Sequence, residues 1–238
     1  MMKNLAIIPA RGGSKRLLKK NLRLLNGKPL VQYTLEAVVD SGVFDTVILS
    51  SDDDDILGIA GNVKGVTPQK REAEMATDKR KVIDLIKDIA ERDEVKNTFD
   101  TIGLFLPTCP FRTARHIKEG FALLTREDYS VVSITDMSDP VQLTLSMNDE
   151  NLINPEAVLS PSPLVTGQTR SQDFEKIYRV NGGFYIAWLD KFRQKANFFD
   201  GRVKGYYIDK LHSVDIDYEL DFEWAEYLLR KNHLSLKD

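Results

Sequence analysis

Leu5-Ala-Ile-Ile-Pro-Ala-Arg-Gly-Gly-Ser-Lys15 sets an apolar run of strand length directly against two adjacent glycines. The basic residues Arg11, Lys15, Arg16, Lys19 and Lys20 then follow without an intervening acid. A short apolar run that stops at such a loop reads as a buried strand entering a strand-to-helix turn. In open parallel sheets the ligand crevice lies outside the carboxyl ends of the strands, and the first such turn is often a phosphate site. Gly12 and Gly13 leave room for backbone amides to approach an anion, and Lys15 and Lys20 are placed to reach its oxygens. The expectation is a triphosphate site. The stretch matches neither the P-loop nor the dinucleotide fingerprint, and taken alone it reads equally well as a solvated basic turn.

Working outward, the strand-then-helix rhythm repeats. Leu30 to Val39, opened by Pro29 at a favoured first-turn position, reads as a helix and Thr46 to Leu49 as a strand. A short helix over 53–60, a weak strand over 63–66 and an amphipathic helix over 82–90 follow, the last with Val82, Leu85, Ile86 and Ile89 on one face. Strands over 101–106 and 130–134 flank a helix from about 114 to 124. This alternation predicts an α/β fold, a doubly wound and mostly parallel sheet covered by helices. The rhythm breaks after Ile134, where Pro140, Pro155, Pro161 and Pro163 interrupt the chain. Residues 137–180 are therefore expected to form an inserted arm, with only 141–147 resembling a strand, within one domain spanning 1–238. Strands over 183–188 and 203–208 and a final helix over 217–231 complete the pattern.

The chain has 238 residues, 33 Lys and Arg against 36 Asp and Glu, and a net charge of -3. A broad basic surface for nucleic acid is not expected from that balance, so any positive site is local. One cysteine, Cys109, excludes an intrachain disulfide framework and suits a reducing compartment. No apolar stretch approaches the roughly 20 residues that a spanning helix needs. A cytoplasmic protein with no membrane partner is expected.

Near the C-terminus, Asp215 and Asp217 are spaced i, i+2, which on a strand would project both carboxylates from one face. Two hard oxygen ligands on one side suit Mg²⁺, the cofactor expected here. Asp217 also precedes a helix, so a capping role is the competing reading. The run Asp52 to Asp55 is denser in charge but reads better as a solvated turn and a negatively charged helix start. Cys109 reads as packing, and neither His116 nor His212 stands in a recognisable dyad pattern.

Six ordered blocks carry a resemblance across nearly the whole chain. They are Ile8 to Lys15 with Lys20-Asn21 and Gly27 to Leu30, Leu49-Ser-Ser-Asp52, Arg71 to Asp78, Leu106-Pro-Thr-Cys-Pro-Phe-Arg112, Arg179-Val-Asn-Gly182, and Asp215-Ile-Asp217 with Glu219-Leu-Asp221. Together they resemble the acylneuraminate cytidylyltransferases, nucleotidyltransferases that join CTP to a nine-carbon 2-keto sugar acid. The resemblance implies a nucleotide-diphospho-sugar transferase-like, Rossmann-like fold with a small dimerisation arm, and a homodimer in which one subunit helps close the other's sugar site. It implies that Arg11, Gly12, Gly13, Ser14, Lys15, Lys20 and Asn21 hold the triphosphate and ribose, with Arg11, Lys20 and Asp217 catalytic. Arg71 and Thr77 would sit near the base and sugar of CTP with Asp78 in support, although Thr77 alone would read as a helix cap. Arg170, Arg179 and Asn181 would meet the carboxylate of the sugar acid, with Tyr178 and Phe184 as walls.

Three positions depart from the family pattern. Leu106 stands where glutamine is usual, Gln142 where the neuraminate enzymes commonly carry lysine, and Arg16-Leu-Leu-Lys19 lacks the usual proline or glycine. Gln142 removes a charged contact and points to a different acid, of a legionaminate or pseudaminate type. The alternatives are another nucleotidyltransferase of the same fold, taking 3-deoxy-octulosonate or a sugar phosphate, and a catalytically inactive nucleotide-binding protein.

Overall fold

Alternate residues of the first strand, β1 (Asn4–Pro9), enter different cores: Ala6 and Ile8 pack on one face of the sheet, Leu5 and Ile7 on the other. A strand buried on both faces must be covered by helices on both sides. Helices α1 (Leu30–Asp40) and α2 (Asp54–Gly61) cover the first face through Val31, Leu35, Val38, Ile56 and Ala60. Helix α3 (Val82–Ala90) covers the second through Leu85, Ile86 and Ile89. The computed structural model describes residues 2–71, 81–231, 233, 234 and 236.

Further strands are β2 (Thr46–Ser51), β3 (Val66–Lys70), β4 (Thr101–Leu104), β5 (Ser130–Asp136), β6 (Tyr178–Trp188) and β7 (Val203–Tyr207). They form one 7-stranded sheet in the order β7-β5-β6-β4-β1-β2-β3. Pairs β1–β2, β1–β4, β2–β3 and β5–β7 are parallel, and β6 runs antiparallel to β4. The sheet is mostly parallel, as the alternation predicts. Helix α4 (Ala114–Ala122) lies between β4 and β5, α5 (Leu189–Lys195) follows β6, and α6 (Glu219–Arg230) ends the fold.

Several boundaries differ from expectation for physical reasons. The third strand covers 66–70 rather than 63–66; its Pro68 is tolerated because β3 is at the sheet edge. Helix α2 begins after Asp53, whose carboxylate caps it by accepting the amides of Asp55 and Ile56 at 2.9 and 3.2 Å. Residues 141–147 are not a strand: Val141–Leu143 is a 3-10 turn, and Ser146–Met147 forms a two-residue ladder with Ile153–Asn154. Helix α5 and a small hairpin, Leu24–Leu25 with Lys28–Pro29, have no counterpart in the sequence reading.

The chain divides into two compact units, Met1–Ile134 with Val180–Asp238, and Thr135–Arg179. The second unit holds its own contacts, including the Gln142 side-chain amide donating to the Glu175 carbonyl at 3.2 Å and Lys176 paired with Asp136 at 2.9 Å.

Candidate active site

A third apolar cluster draws the two ends of the chain together. Leu17, from the basic loop, packs with Leu25, Leu30, Tyr33, Val214, Ile216 and the α6 residues Phe222, Ala225 and Leu228. Ile216 is fully buried, and its amide donates to the Thr108 carbonyl at 2.8 Å. The segment Asp215–Asp217 is irregular rather than a strand. Even so, burying the middle residue turns its two neighbours outward, the alternation a strand would impose.

The result is a cleft of about 620 Å³ at the carboxyl end of β1. Arg11, Ser14, Lys15, Lys20, Asn21, Arg71, Asp215 and Asp217 all line it. Residues from the first 21 positions thus face residues from 215 and 217 across one cavity. The Lys20 ammonium, only 11% exposed, donates to Asp217 Oδ1 at 2.8 Å and to the Ile216 carbonyl at 2.7 Å. Arg16 donates to Asp217 Oδ2 at 2.8 Å. Burial opposes ionisation of Asp217, but the hydrogen bond and charge of Lys20, with the charge of Arg16, outweigh it and hold the carboxyl below its usual range. Asp217 does not cap α6; the Asp221 carboxylate accepts the amides of Asp217 and Tyr218 at 2.9 and 2.8 Å, leaving the Asp217 side chain to the cleft.

The glycine loop is held by acids of the next strand end. The Gly12 amide donates to Asp52 Oδ1 at 3.0 Å, and a Cβ at Gly12 would lie 2.6 Å from Asp53 Oδ2. Glycine is required there by close approach. A Cβ at Gly13 would meet nothing within 4 Å. Asn21 is buried and donates to the Arg11 carbonyl at 2.9 Å, which fixes the bend. Asp52 and Asp53 are therefore spent on loop and helix geometry, Asp54 is paired to Lys70, and Asp55 is exposed in the first turn of α2.

Arg71 follows β3, donates to the Ser50 carbonyl at 3.1 Å, and is lowered in pKa chiefly by burial. Its buried Nε has no partner among the described residues. Thr77 and Asp78 lie outside the described residues. Lys81 occupies the N-cap of α3, its amide donating to Asp84 Oδ2 at 3.0 Å.

The expected acid-binding residues have different placements. Asn181 is buried, its Oδ1 accepting from the Gly183 amide at 3.0 Å and the Ser133 hydroxyl at 2.6 Å, its Nδ2 donating to Ser213 at 2.8 Å. That is a brace between strands, and the side chain does not line the cleft. Phe184 is no wall: it is fully buried in the core and packs against Gly120. Gln142, Arg170 and Arg179 belong to the second unit, where the latter two are exposed.

Sequence reasoning missed two features. Arg112, almost fully buried, donates to the carbonyls of Leu106 and Cys109 at 3.1 and 2.5 Å and to Thr34, so it staples the loop that carries Thr108. His116, Asp209 and His212 also come together: the histidine rings are 5.0 Å apart, and His212 Nδ1 lies 2.6 Å from Asp209. This trio has metal-ligand spacing, but His116 Nδ1 accepts the Thr113 amide at 3.2 Å. The other ring nitrogen then carries the proton of the neutral ring and has no lone pair to offer. No signal in the sequence pairs residue 116 with 209 and 212, whereas the family-like Arg112 was available as a motif residue.

A family model described as Cytidylyltransferase matches residues 5–236. The chain is 31% identical to a CMP-N,N'-diacetyllegionaminic acid synthase of Legionella pneumophila, over 99% of this chain and 100% of that protein. It is 29% identical to a pseudaminic acid cytidylyltransferase of Campylobacter jejuni, over 98% and 99%. An N-acylneuraminate cytidylyltransferase of Escherichia coli is 34% identical over 97% of this chain but only 53% of its own length. Among solved structures, a CMP:2-keto-3-deoxy-manno-octonic acid synthetase complexed with CTP aligns with a TM-score of 0.68 at 14% identity, covering 97% of this chain and 99% of its own. At that identity the likeness speaks for the fold. The glycine loop, the facing aspartates and the match over nearly the whole length make this chain a member of the cytidylyltransferase family.

Proposed function

We propose that this protein is a CMP-sugar-acid synthetase, joining CTP to a nine-carbon 2-keto sugar acid of the neuraminate, legionaminate or pseudaminate type. The single observation that carries the reading is the shared cleft, where basic groups of the first loop face Asp215 and Asp217. Triphosphate chemistry needs positive charge around oxygens that become more negative as pyrophosphate leaves. Arg11, Lys15 and Lys20 supply it, Ser14 and Asn21 add neutral polar groups to the lining, and Arg71 takes the nucleoside.

In the proposed reaction the anomeric hydroxyl oxygen of the acid bonds to the α-phosphorus of CTP. The bond from that phosphorus to the bridging oxygen breaks, pyrophosphate carries away the electron pair, and the hydroxyl proton passes to solvent. Lys20 and Arg11 hold the phosphate oxygens in place and oppose their growing charge, so positioning and electrostatics do most of the catalysis. Asp215 and Asp217 fit Mg²⁺: both are hard oxygen donors on the cleft, and Asp217 is held ionised. When bound there, the ion would neutralise phosphate charge. Lys20 and Arg16 would then give up Asp217 to the ion and turn to the nucleotide.

Arg170 and Arg179 are assigned to the acid's carboxylate, for which a guanidinium fork is well shaped. The second unit exposes Leu145, Met147, Leu152 and Ile153, an apolar set that suits a second copy of the chain. A homodimer is the proposed assembly, measurable by sedimentation. No helix among the described residues is long and apolar enough to cross a membrane; a cytoplasmic protein without a nucleic-acid partner remains the proposal. The deciding experiment reads pyrophosphate release from each of the four NTPs with a panel of sugar acids. CTP-dependent release with a nine-carbon acid is expected, and release with another NTP only would overturn the assignment.

A further inference from the structure

We infer that Val82, Leu85, Leu106 and Pro107 form a specificity wall that selects an acceptor bearing alkyl and acyl groups over a polyhydroxylated one; this rests on the synthetase reading above. Apart from Pro9, the rest of the cleft is lined by cations, carboxylates and small polar groups, so these four apolar side chains stand out within it. Val82 and Leu85 share one face of α3 at a spacing of three residues. Val82 remains 42% exposed, whereas Leu85 is 5% exposed and anchored in the core beside β1 and β4. Leu106 packs against that same core. Its far side is bounded by Gly182 on β6, where φ is +74° and an added Cβ would sit 3.4 Å from Leu106 Cδ1. The strip is therefore a fixed surface, built by packing on two sides.

The sheet order decides which part of the reaction it faces. Arg71 leaves β3, the phosphate-binding loop leaves β1, and Leu106 leaves β4 toward β6, so the loop divides Arg71 from Leu106. A cytosine has a polar edge that needs donors, and the Arg71 side supplies a buried Nε with no partner among the described residues. The four wall side chains carry no donor or acceptor; their polar neighbours in sequence, Lys81 and Thr108, also line the cleft. With the triphosphate on the loop, the nucleoside goes to Arg71 and the acceptor to the wall. Against those four side chains a hydroxyl-rich tail would lose water without gaining partners, whereas a terminal methyl or an acetamido methyl replaces water favourably.

The magnitude has a ceiling. One methylene in an apolar pocket discriminates by roughly 10–200-fold, and rejecting an added hydroxyl reaches about 10²-fold. The test compares kcat/KM for N,N'-diacetyllegionaminate, which has a terminal methyl and a second acetamido group, with that for N-acetylneuraminate, at saturating CTP. Wild-type protein is expected to favour the diacylated deoxy acid by about 10-fold or more. Leu106→Gln, and independently the exposed Val82→Asn, each lower that ratio several-fold, while Leu106→Met keeps it. Circular dichroism melting reports whether each variant folds, and Val82→Asn carries the test if Leu106→Gln does not. A ratio unmoved in the folded variants overturns the wall alone, as does a change confined to the KM for CTP, which would place the nucleobase there. Absence of pyrophosphate release by wild-type protein with every acid overturns both the wall and the synthetase reading.

Discussion

Two groups of titratable side chains lie within the first compact unit, and they are built in opposite ways. Lys20, Arg16 and Asp217 pair with one another on a cleft wall, where they can exchange partners. His116, Asp209 and His212 close on themselves: Asp209 accepts the amides of Leu211 and His212 as well as facing the His212 ring, and His116 is spent on the start of α4. Chemical residue type does not separate the two sets. What separates them is whether the polar atoms face a cavity and can exchange partners.

The sharpest way to break this contrast is at Lys20. Lys20→Ala is expected to lower turnover by about 10²- to 10³-fold in a protein that still unfolds cooperatively, as for loss of one transition-state charge donor. Activity near wild type would move the chemistry out of this cleft. Asp217→Asn should cost about 10²-fold, and a Mg²⁺ titration of the variant should saturate at a higher concentration than in wild-type protein. An unshifted Mg²⁺ curve would leave Asp217 as an ion-pair partner only.

Arg112 reaches the histidine group through Cys109, whose carbonyl it holds and whose thiol lies 3.8 Å from the His212 carbonyl. Arg112→Leu strands the Cys109 carbonyl, leaves that of Leu106 only the 3.4 Å bond from the Cys109 amide, and is expected to destabilise by about 2 to 3 kcal/mol in denaturant titration. A value within experimental error of zero would show that the staple is redundant.

The closed group predicts a pH effect on stability rather than on catalysis. Burial first, then the charges of His212 and Arg115, lower His116 from 6.5 to about 4, against the weaker opposing pull of Asp209 and Glu119. The folded state therefore resists a proton that the unfolded state binds. The contribution is intact above pH 6.5, declines as pH falls from 6.5 toward 4, and levels off below. At most about 3 kcal/mol is lost, and His116→Gln should flatten the stability curve in that window. The smallest effect belongs to the exposed Arg23–Glu219 pair: Glu219→Ala should change stability by less than about 1 kcal/mol.

The parts legible in the sequence are those written in contiguous residues. β1 and its glycine loop, and the helix over 82–90 with its apolar face, need only local periodicity. Asp215 and Asp217 were legible as a pair, although by a buried Ile216 rather than by a strand. Tertiary pairing was not legible. His116 meets His212 only because β7 ends beside α4, and Asn181 turned inward because Ser133 and Ser213 satisfy it. Phe184 likewise looked like a ligand wall until its ring filled the space beside Gly120. Leu189–Lys195 escaped notice because seven residues hold too few turns for a periodic signal.

The packing of Leu17 against Ile216 and Phe222 has a consequence for biosynthesis. A ribosome-bound chain that has already formed β1 still lacks both aspartates and the helix that seats them. The cleft is complete only once residue 217 and α6 have been made, and a product terminated before residue 215 would display the basic bend without the two facing carboxylates.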